Sequence, residues 1–415
     1  MFNSLKVGFY LAIKDITRAS ILTTILIVFI MTLTFLNLTV GRGILVGLPK
    51  GATNVYDERY SGDLIISKLR KDSYIVNEQA VENYYNKLPE IRAVTKRYLH
   101  SATLTSDYDA RLKNSEVNDS TSGILTGINP IDEDKVTGLS KYIVEGTYLD
   151  PKDRDGILVG ASMLFRYSPL DSPSESTIKN LNVGDKVRIT IKNKDYYYIV
   201  RGVIKSKVSE VDRRIFINIP EYKLIAGEKD FKPEEISFKF FNGTDPVEIK
   251  NKFYAEGLQR YAKIQTAVES QPKFLNDIGL TFDILGNILG AIGIIVASVT
   301  VFIVIFVNAI TRRKFIGILK AIGVTSLAIE FSYILQAIFY AFLGSIIGMS
   351  VLYGFFVPFF DQNPINFPFA DGILYAPLSD SLSRFGILLI ASVISGFIPA
   401  RIVVKQKTLD AILGR

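Results

Sequence analysis

Three stretches of this sequence carry residue types that chemistry can use, and each falls short of a working site. Gly47-Leu48-Pro49-Lys50-Gly51 is rich in glycine beside a lysine. A nucleotide phosphate loop needs G-x-x-x-x-G-K-[ST], so that backbone N–H groups and the lysine hold the phosphates. That spacing occurs nowhere in the chain, and the stretch reads as a linker. Asp150, Asp153, Asp155 and Gly156 are spaced like calcium ligands. An EF-hand loop would need an acidic ligand where Pro151 stands and Glu where Ser162 stands, so a solvated turn is expected. Asp132-Glu133-Asp134 reads as the start of a helix, where the macrodipole favours carboxylates. His100, the single histidine, sits in a strand-like run. There is no G-x-S-x-G, no H-E-x-x-H and no cysteine. The sequence therefore predicts no catalytic residue, no metal ligand set and no cofactor of its own.

What the chain has instead is length and apolar patterning. Of 415 residues, 48% are hydrophobic and 21% charged, and the charges are unevenly placed. Residues 21–41, 284–311 and 331–360 hold no charge, and 385–400 none until Arg401, beyond which 402–404 extend the apolar run. About 20 apolar residues cross a bilayer as a helix, so four spans are predicted. The first exceeds the apolar core of a signal peptide and no A-x-A site follows it, which favours a retained anchor.

Orientation follows from the positive-inside bias. The segments before span one, between spans two and three and after span four hold 11 basic and 3 acidic residues. The long block from Arg42 to Asp283 holds 36 basic and 35 acidic, and the loop between spans three and four has Asp361, Asp371 and Asp380 against Arg384. The net charge of +7 is thus a signal of topology. It does not call for nucleic acid, which needs a basic surface on a folded domain. Both termini and the segment around Arg312 face the cytoplasm, and the long block faces outside.

The predicted layout is an amphipathic helix over 1–20, spans at 21–48, 276–311 (with a stalk), 326–358 and 384–404, an external loop at 359–383 and a tail at 405–415. The leading helix alternates Leu5, Phe9 and Ile13 with Lys6, Lys14 and Arg18 and suits the membrane interface. The external domain, 49–275, mixes strand and helix signals. Strands are expected at 63–67, 93–105, 122–128, 156–160, 186–191, 196–206, 214–219 and 235–241, with a turn at Lys192–Asp195. Helices are expected at 78–88, 161–167 and 247–256, and a loop at 170–179. This gives an α+β subdomain (49–135 with 230–275) and a β-rich one (136–229). From Phe274 the apolar pattern continues into span two as one helix.

Gly286-x-x-x-Gly290 and Gly344-x-x-x-Gly348 let helices approach closely, either within one subunit or across a dimer. No span has a charge in its middle, which argues against a proton-coupled carrier or a charge-lined channel. Two classes remain: a membrane subunit that passes force from a cytoplasmic motor to an external domain, and an anchored receptor or scaffold.

One family resemblance separates them. Thr311-Arg312-Arg313-Lys314-Phe315-Ile316-Gly317-Ile318-Leu319-Lys320-Ala321-Ile322-Gly323-Val324-Thr325 resembles the R-x-x-E-I-G-I-L-R-A-[LI]-G-A signature of FtsX-like ABC permeases of the MacB and LolC/LolE kind. Gly396-Phe397-Ile398-Pro399-Ala400-Arg401 is similar to their G-x-x-P-A-R. Val144-Glu145-Gly146, Ile157-Leu158-Val159-Gly160, Gly184-Asp185 and Val200-Arg201-Gly202-Val203 resemble weaker signatures of the external domain. Phe315 departs from the family's usual Glu, and Lys407-Thr408 from its usual Asp-Pro.

The resemblance implies a bacterial inner-membrane permease of four spans with a large α+β external domain. It would act as a homo- or heterodimer with two copies of a separate ATPase that binds ATP and Mg. Residues 312–325 would then be a cytoplasmic coupling helix, with Arg312, Arg313, Lys314, Ile316, Gly317, Ile318, Leu319, Lys320, Ala321 and Gly323 meeting the ATPase, and the external domain would be moved mechanically. Gly317 and Gly323 are expected to permit close backbone approach. The implied work is export of a lipoprotein or a lipophilic or peptide substrate, with a periplasmic adaptor as a further partner in some relatives. Alternatives are an FtsX-like regulator of external cell-wall enzymes and the uncoupled receptor.

Overall fold

Charge-free runs become long helices, and the mixed block between the first two becomes a sheet. The computed structural model describes residues 2–18, 20–106, 119–168, 176–227, 231–365, 367, 370, 372 and 374–405. The expected loop at 170–179 falls largely outside these residues, as do Lys407 and Thr408. The chain divides into a helical unit, Met1–Lys50 with Asn276–Asn366 and Asp371–Arg415, and an inserted unit, Gly51–Leu275 with Phe367–Ala370.

In the helical unit, Phe2–Arg18 forms the amphipathic leading helix. Among the described residues, four helices are long and apolar enough to cross a membrane: Ile21–Ser61, Lys273–Thr311, Ser326–Gln362 and Leu378–Val404. The first has 41 residues and the second 39. At 1.5 Å per residue each is about 60 Å long, twice the ~30 Å of a hydrocarbon core. The second is one continuous helix from Lys273 to Thr311.

The linker expected at Gly47–Gly51 is instead helical, with Pro49 inside the Arg42–Tyr56 segment. A helix-interior proline costs about 3 kcal/mol. Val46, Val55 and Tyr56 are all buried, and burying a side chain of that size returns ~1.5–3 kcal/mol each. Packing thus overrides propensity. A π-helical turn at Asn37–Gly41 keeps the run continuous. The fourth helix starts six residues before its expected position, at Leu378 after Pro377, with Asp380 in its first turn.

The glycine faces pack inside the chain. A Cβ at Gly286 would lie 3.1 Å from Arg42 Cγ, and one at Gly293 3.1 Å from Asn37 Oδ1. Gly344 and Gly348 lie against Met31 and Phe35 of the first helix. Thr32 Oγ1 donates to the Gly344 carbonyl at 3.1 Å. Gly344 and Gly348 thus serve close packing within one chain.

The inserted unit holds a ten-stranded mixed sheet. Its strands are β1 (Leu64–Ser67), β2 (Ile91–Thr105), β3 (Ser120–Ile128), β4 (Ile143–Gly146), β5 (Gly156–Gly160), β6 (Lys186–Ile191), β7 (Lys194–Ile204), β8 (Arg214–Asn218), β9 (Glu235–Phe240) and β10 (Lys263–Thr266). The order is β10-β1-β9-β2-β3-β8-β5-β7-β4, with β6 pairing β2 and β7. β3 runs parallel to β8, and β5 to β7. The 15-residue β2 pairs β9 through Ile91–Arg97 and β3 through Tyr98–Thr105. One core lies over its first half, around Phe238, Phe253 and Val81. Another lies over its second half, around Leu104, Ile189 and Ile215. A third holds Val55, Tyr56 and Tyr60 from the end of the first long helix.

Two local expectations change and a third holds. Residues 161–167 form two 3₁₀ turns around Leu164, which takes extended geometry to bridge Ile178. The expected four-residue turn is the pair Lys192–Asn193, with φ of 47° and 62°, the two left-handed residues of a tight hairpin. Asp132–Asp134 do open a helix, Pro130–Thr137, capped by the Asn129 side chain, but Glu133 turns inward.

Candidate functional site

The short helix Arg313–Ala321 lies between the second and third long helices. Its residues divide by face. Ile316 and Gly317 are buried and Leu319 packs on the bundle core. Phe315, Ile318 and Ile322 are exposed, Ile322 at 72%. Their spacing of three and four residues makes one outward apolar stripe, beside exposed Lys314 and Ala321. The residues expected to meet a partner therefore do not share one face. Ile316 and Gly317 hold the helix to its own bundle.

Gly323 serves the turn that ends the helix. No neighbour lies within reach of a Cβ there, and its φ is +95°. Its N–H donates to the Lys320 carbonyl at 3.1 Å and Val324 N–H to the Leu319 carbonyl at 3.0 Å. These two bonds make a Schellman C-cap. The turn itself calls for glycine at 323.

Polar bonds fix both ends of this short helix within the helical unit. Arg312 Nη1 donates to Asp15 Oδ1 at 2.5 Å. Gln336 Nε2 donates to Asp15 Oδ2 at 3.2 Å, and Asn308 Nδ2 to Gln336 Oε1 at 3.3 Å. Burial raises the Asp15 carboxyl above the ordinary aspartate value, and Arg312 opposes that rise. At the other end Lys320 Nζ donates to the Val404 carbonyl at 3.0 Å. The C-terminal motif supports that last helix. A Cβ at Gly396 would lie 2.7 Å from Ala337 Cβ, Pro399 and Ala400 are buried, and exposed Arg401 lies over the Phe397 ring. Motion of this helix would thus be felt at the leading helix and at the end of the fourth.

The inserted unit holds a buried ionic cluster that the sequence does not announce. Arg97 of β2 donates to Glu133 at 2.6 Å and, from Nη2, to the Tyr60 carbonyl at 2.7 Å. Arg214 of β8 donates to both carboxylate oxygens of Glu235, at 3.0 and 2.8 Å. Tyr60 Oη donates to Glu235 Oε1 at 2.8 Å. Burial alone would raise the Glu235 carboxyl, but Arg214 and then Arg97 hold it down at about 2. Next to it, burial pushes the Glu234 carboxyl up to about 7, against the Leu99 N–H that it accepts at 2.7 Å. Arg59 Nη1 donates to the Ser206 carbonyl at 2.8 Å. The last turn of the first long helix is therefore clamped by strands β2, β8 and β9. The only hint available in the sequence is the presence of Arg97, Arg214 and Glu235 within apolar strand runs.

Beside this cluster lies a cleft of about 670 Å³, walled by β2, β3, the β6–β7 turn and the short helix Ser209–Asp212. Ser101, Thr103, Ser122, Lys192, Glu210 and Arg213 line it. The calcium-like turn is filled from the protein itself: Arg201 Nε meets Asp153 at 2.7 Å and its Nη2 meets Asp155 at 2.7 Å. Among the described residues no group of three or more His, Cys, Asp or Glu is placed to hold a metal.

Residues 287–408, which take in the second to fourth helices and the short helix, match the FtsX-like permease C-terminal family. This segment is similar to an FtsX-like permease domain. The chain is 26% identical over 246 residues to the ABC transporter permease YtrF of Bacillus subtilis (strain 168), and the match spans 53% of each chain. The chain thus spans about half the length of that curated relative. Two solved structures are similar at low identity. One is the periplasmic region of MacB from Actinobacillus actinomycetemcomitans (14% identical, 51% of this chain and 95% of that one, TM-score 0.33). The other is the extracellular domain of the noncanonic ABC-type transporter YknZ from Gram-positive bacteria (13%, 49% and 98%, TM-score 0.30). The segments matching the domain's two signatures, Arg312–Thr325 and Gly396–Arg401, are joined here through Lys320 and Val404.

Proposed function

We propose that this chain is the membrane subunit of an ABC transporter driven by a separate cytoplasmic ATPase, which supplies ATP and Mg binding. The observation that carries the reading is the short helix Arg313–Ala321, which presents Phe315, Ile318 and Ile322 outward while Ile316 anchors it. An apolar stripe flanked by Lys314 suits docking into a groove of a partner. Such a partner would push a helix already tied to Asp15 and to the Val404 carbonyl. The two long helices, each continuous for about 60 Å, would carry displacement to the inserted domain, where Tyr60 sits in the ionic clamp. In this scheme the basic end of the bundle faces the cytoplasm, the inserted domain faces outside a bacterial inner membrane, and a second copy or paralogue completes the permease. The inserted domain would divide within β2 and not at residue 136, because Tyr98, Leu104 and Leu125 share a core with Ile157, Ile189 and Ile215.

The substrate proposed is a lipoprotein or peptide. The cleft walls of Ser, Thr, Lys and Arg suit a polar chain or headgroup better than an acyl tail. Regulation of an external enzyme would use the same cleft and is the second reading.

The test is affinity purification from native membranes in mild detergent. A Walker-motif ATPase is expected to co-purify, and Ile318→Asp is expected to remove it without changing the permease's own thermal midpoint. Recovery of no ATPase after crosslinking, or unchanged recovery with Ile318→Asp, overturns the reading.

A further inference from the structure

We propose that the cleft between the leading helix and the start of the short helix binds the headgroup of an anionic phospholipid. The cleft has a volume of about 440 Å³ and is lined by Tyr10, Leu11, Lys14, Arg18, Arg312 and Phe315, with Asp15 at its base. That volume falls within the range of small-molecule sites and gives room for a phosphate and its glycerol.

The leading helix is built for this position. At 3.6 residues per turn its side chains form three stripes. Gly8 and Ala12 are buried and Asp15 half-buried. A Cβ at Gly8 would lie 2.6 Å from the Ala328 carbonyl oxygen, so this face packs on the third long helix. Leu5, Phe9 and Ile13 form an exposed apolar stripe, Phe9 at 56%. Tyr10, Lys14 and Arg18 follow on the next stripe, exposed as well. A helix that packs on a span with one face and shows adjacent apolar and basic stripes lies at the membrane surface, with its apolar side chains among acyl chains and its cations at the phosphates.

The charges in the cleft select the sign of the ligand. Three cations face one carboxylate. Asp15 is already held by Arg312 and Gln336. Neither Lys14 nor Arg18 makes an ion pair among the described residues. Lys14 Nζ lies 5.9 Å from the Tyr10 ring, which leaves its donors available. Phe315, with 51% of its surface exposed, adds an apolar wall and no competing anion. Basic pockets between helices at the membrane surface hold phosphate headgroups by this combination. A soluble acidic peptide would satisfy the cations but not the apolar stripe beside them, so the membrane is the source assigned.

The consequence is local. The headgroup would touch Arg312, whose other partner is Asp15, so bound lipid would brace the leading helix against the start of the short helix. This inference does not require an ATPase, and its test uses the permease alone.

The full chain is purified, and native mass spectrometry counts phosphatidylglycerol and phosphatidylcholine retained from an equimolar mixture. Each basic side chain near an anionic surface gives about a five-fold preference. Phosphatidylglycerol is therefore expected to be retained in excess, and Lys14→Gln with Arg18→Gln to lower the excess about 25-fold by the same factor. Phe315→Glu, which places a carboxylate in the cleft, is expected to lower it too, and provides a second reading if the double variant does not fold. The thermal midpoint in phosphatidylcholine is expected to stay unchanged for each. Equal retention of the two lipids, or an excess that survives both changes in folded protein, overturns the proposal. Displacement of the lipid by free glycerol phosphate at the same concentration overturns the membrane as the source.

Discussion

Replacing Glu235 by Gln should loosen the inserted domain more than any exposed substitution. Glu235 is buried and accepts from Arg214 at 2.8 and 3.0 Å, from Tyr60 Oη at 2.8 Å and from Arg97 at 3.4 Å. Its carboxyl is held at about 2 against an ordinary 4.5, which corresponds to roughly 3 kcal/mol favouring the ionised form in the folded state. Breaking a buried pair by removing one partner costs ~3–5 kcal/mol, because the other charge stays buried. The two figures agree. In Glu235→Gln, Arg97 and Arg214 face one remaining carboxylate, Glu133. Hydrogen–deuterium exchange of the β2 and β9 amides in the detergent-solubilised chain should accelerate by about two orders of magnitude. The folded value lies below the unfolded one, so this stabilisation is complete above about pH 4.5 and is lost as the pH falls toward 2. Replacing Arg214 by Met and Glu235 by Leu together should restore much of the protection, since an apolar pair of similar volume leaves fewer stranded charges. Wild-type exchange in the single variant would refute the reasoning that these ions clamp the strands.

Other outcomes follow from named contacts. Gly344→Leu drives a side chain into Met31 and the backbone of Thr32, and should lower the thermal midpoint in detergent by the equivalent of about 1–3 kcal/mol. Gly323→Ala places a Cβ at φ +95° and should cost about 1–2 kcal/mol, read as faster exchange of the Ala321–Val324 amides. Glu234 has a folded value raised to about 7 by burial; its contribution is full below the unfolded value and is lost as the pH rises through 7. Exchange of Leu99 N–H, corrected for the intrinsic rate, should therefore increase from pH 6 to pH 8, and Glu234→Gln should remove that dependence.

The membrane part was largely legible from the sequence because lipid demands long uncharged runs. Residues 331–360 are long enough to span on length alone, and 21–41 exceed a signal peptide's apolar core. What escaped was where those helices end. Pro49 and its glycine neighbours look like a break, and only the burial of Val55 and Tyr56 keeps the helix going to Ser61. In the inserted domain the strands with apolar runs, such as Leu64–Ser67 and Glu235–Phe240, stood where expected. β4 and β10, four residues each with mixed polarity, carried no such pattern. The ionic clamp was illegible in principle. Arg97 and Glu235 are 138 positions apart, and nothing local to Glu133 distinguishes a buried carboxylate from an ordinary helix start. The short helix was legible as a motif, but its division into inward Ile316 and outward Ile318 needed the bundle against which it packs.

That division offers the most direct test of the account. A photo-crosslinking residue placed singly at Phe315, Ile318, Ile322 or Ile316 in membranes that contain the native partner would map what the short helix touches. Crosslinks from the first three positions to a Walker-motif ATPase, with none from Ile316 beyond the permease itself, are predicted. Crosslinks to lipid alone from Ile318 and Ile322 would contradict a motor-coupled permease, whereas Phe315 also borders the proposed headgroup cleft.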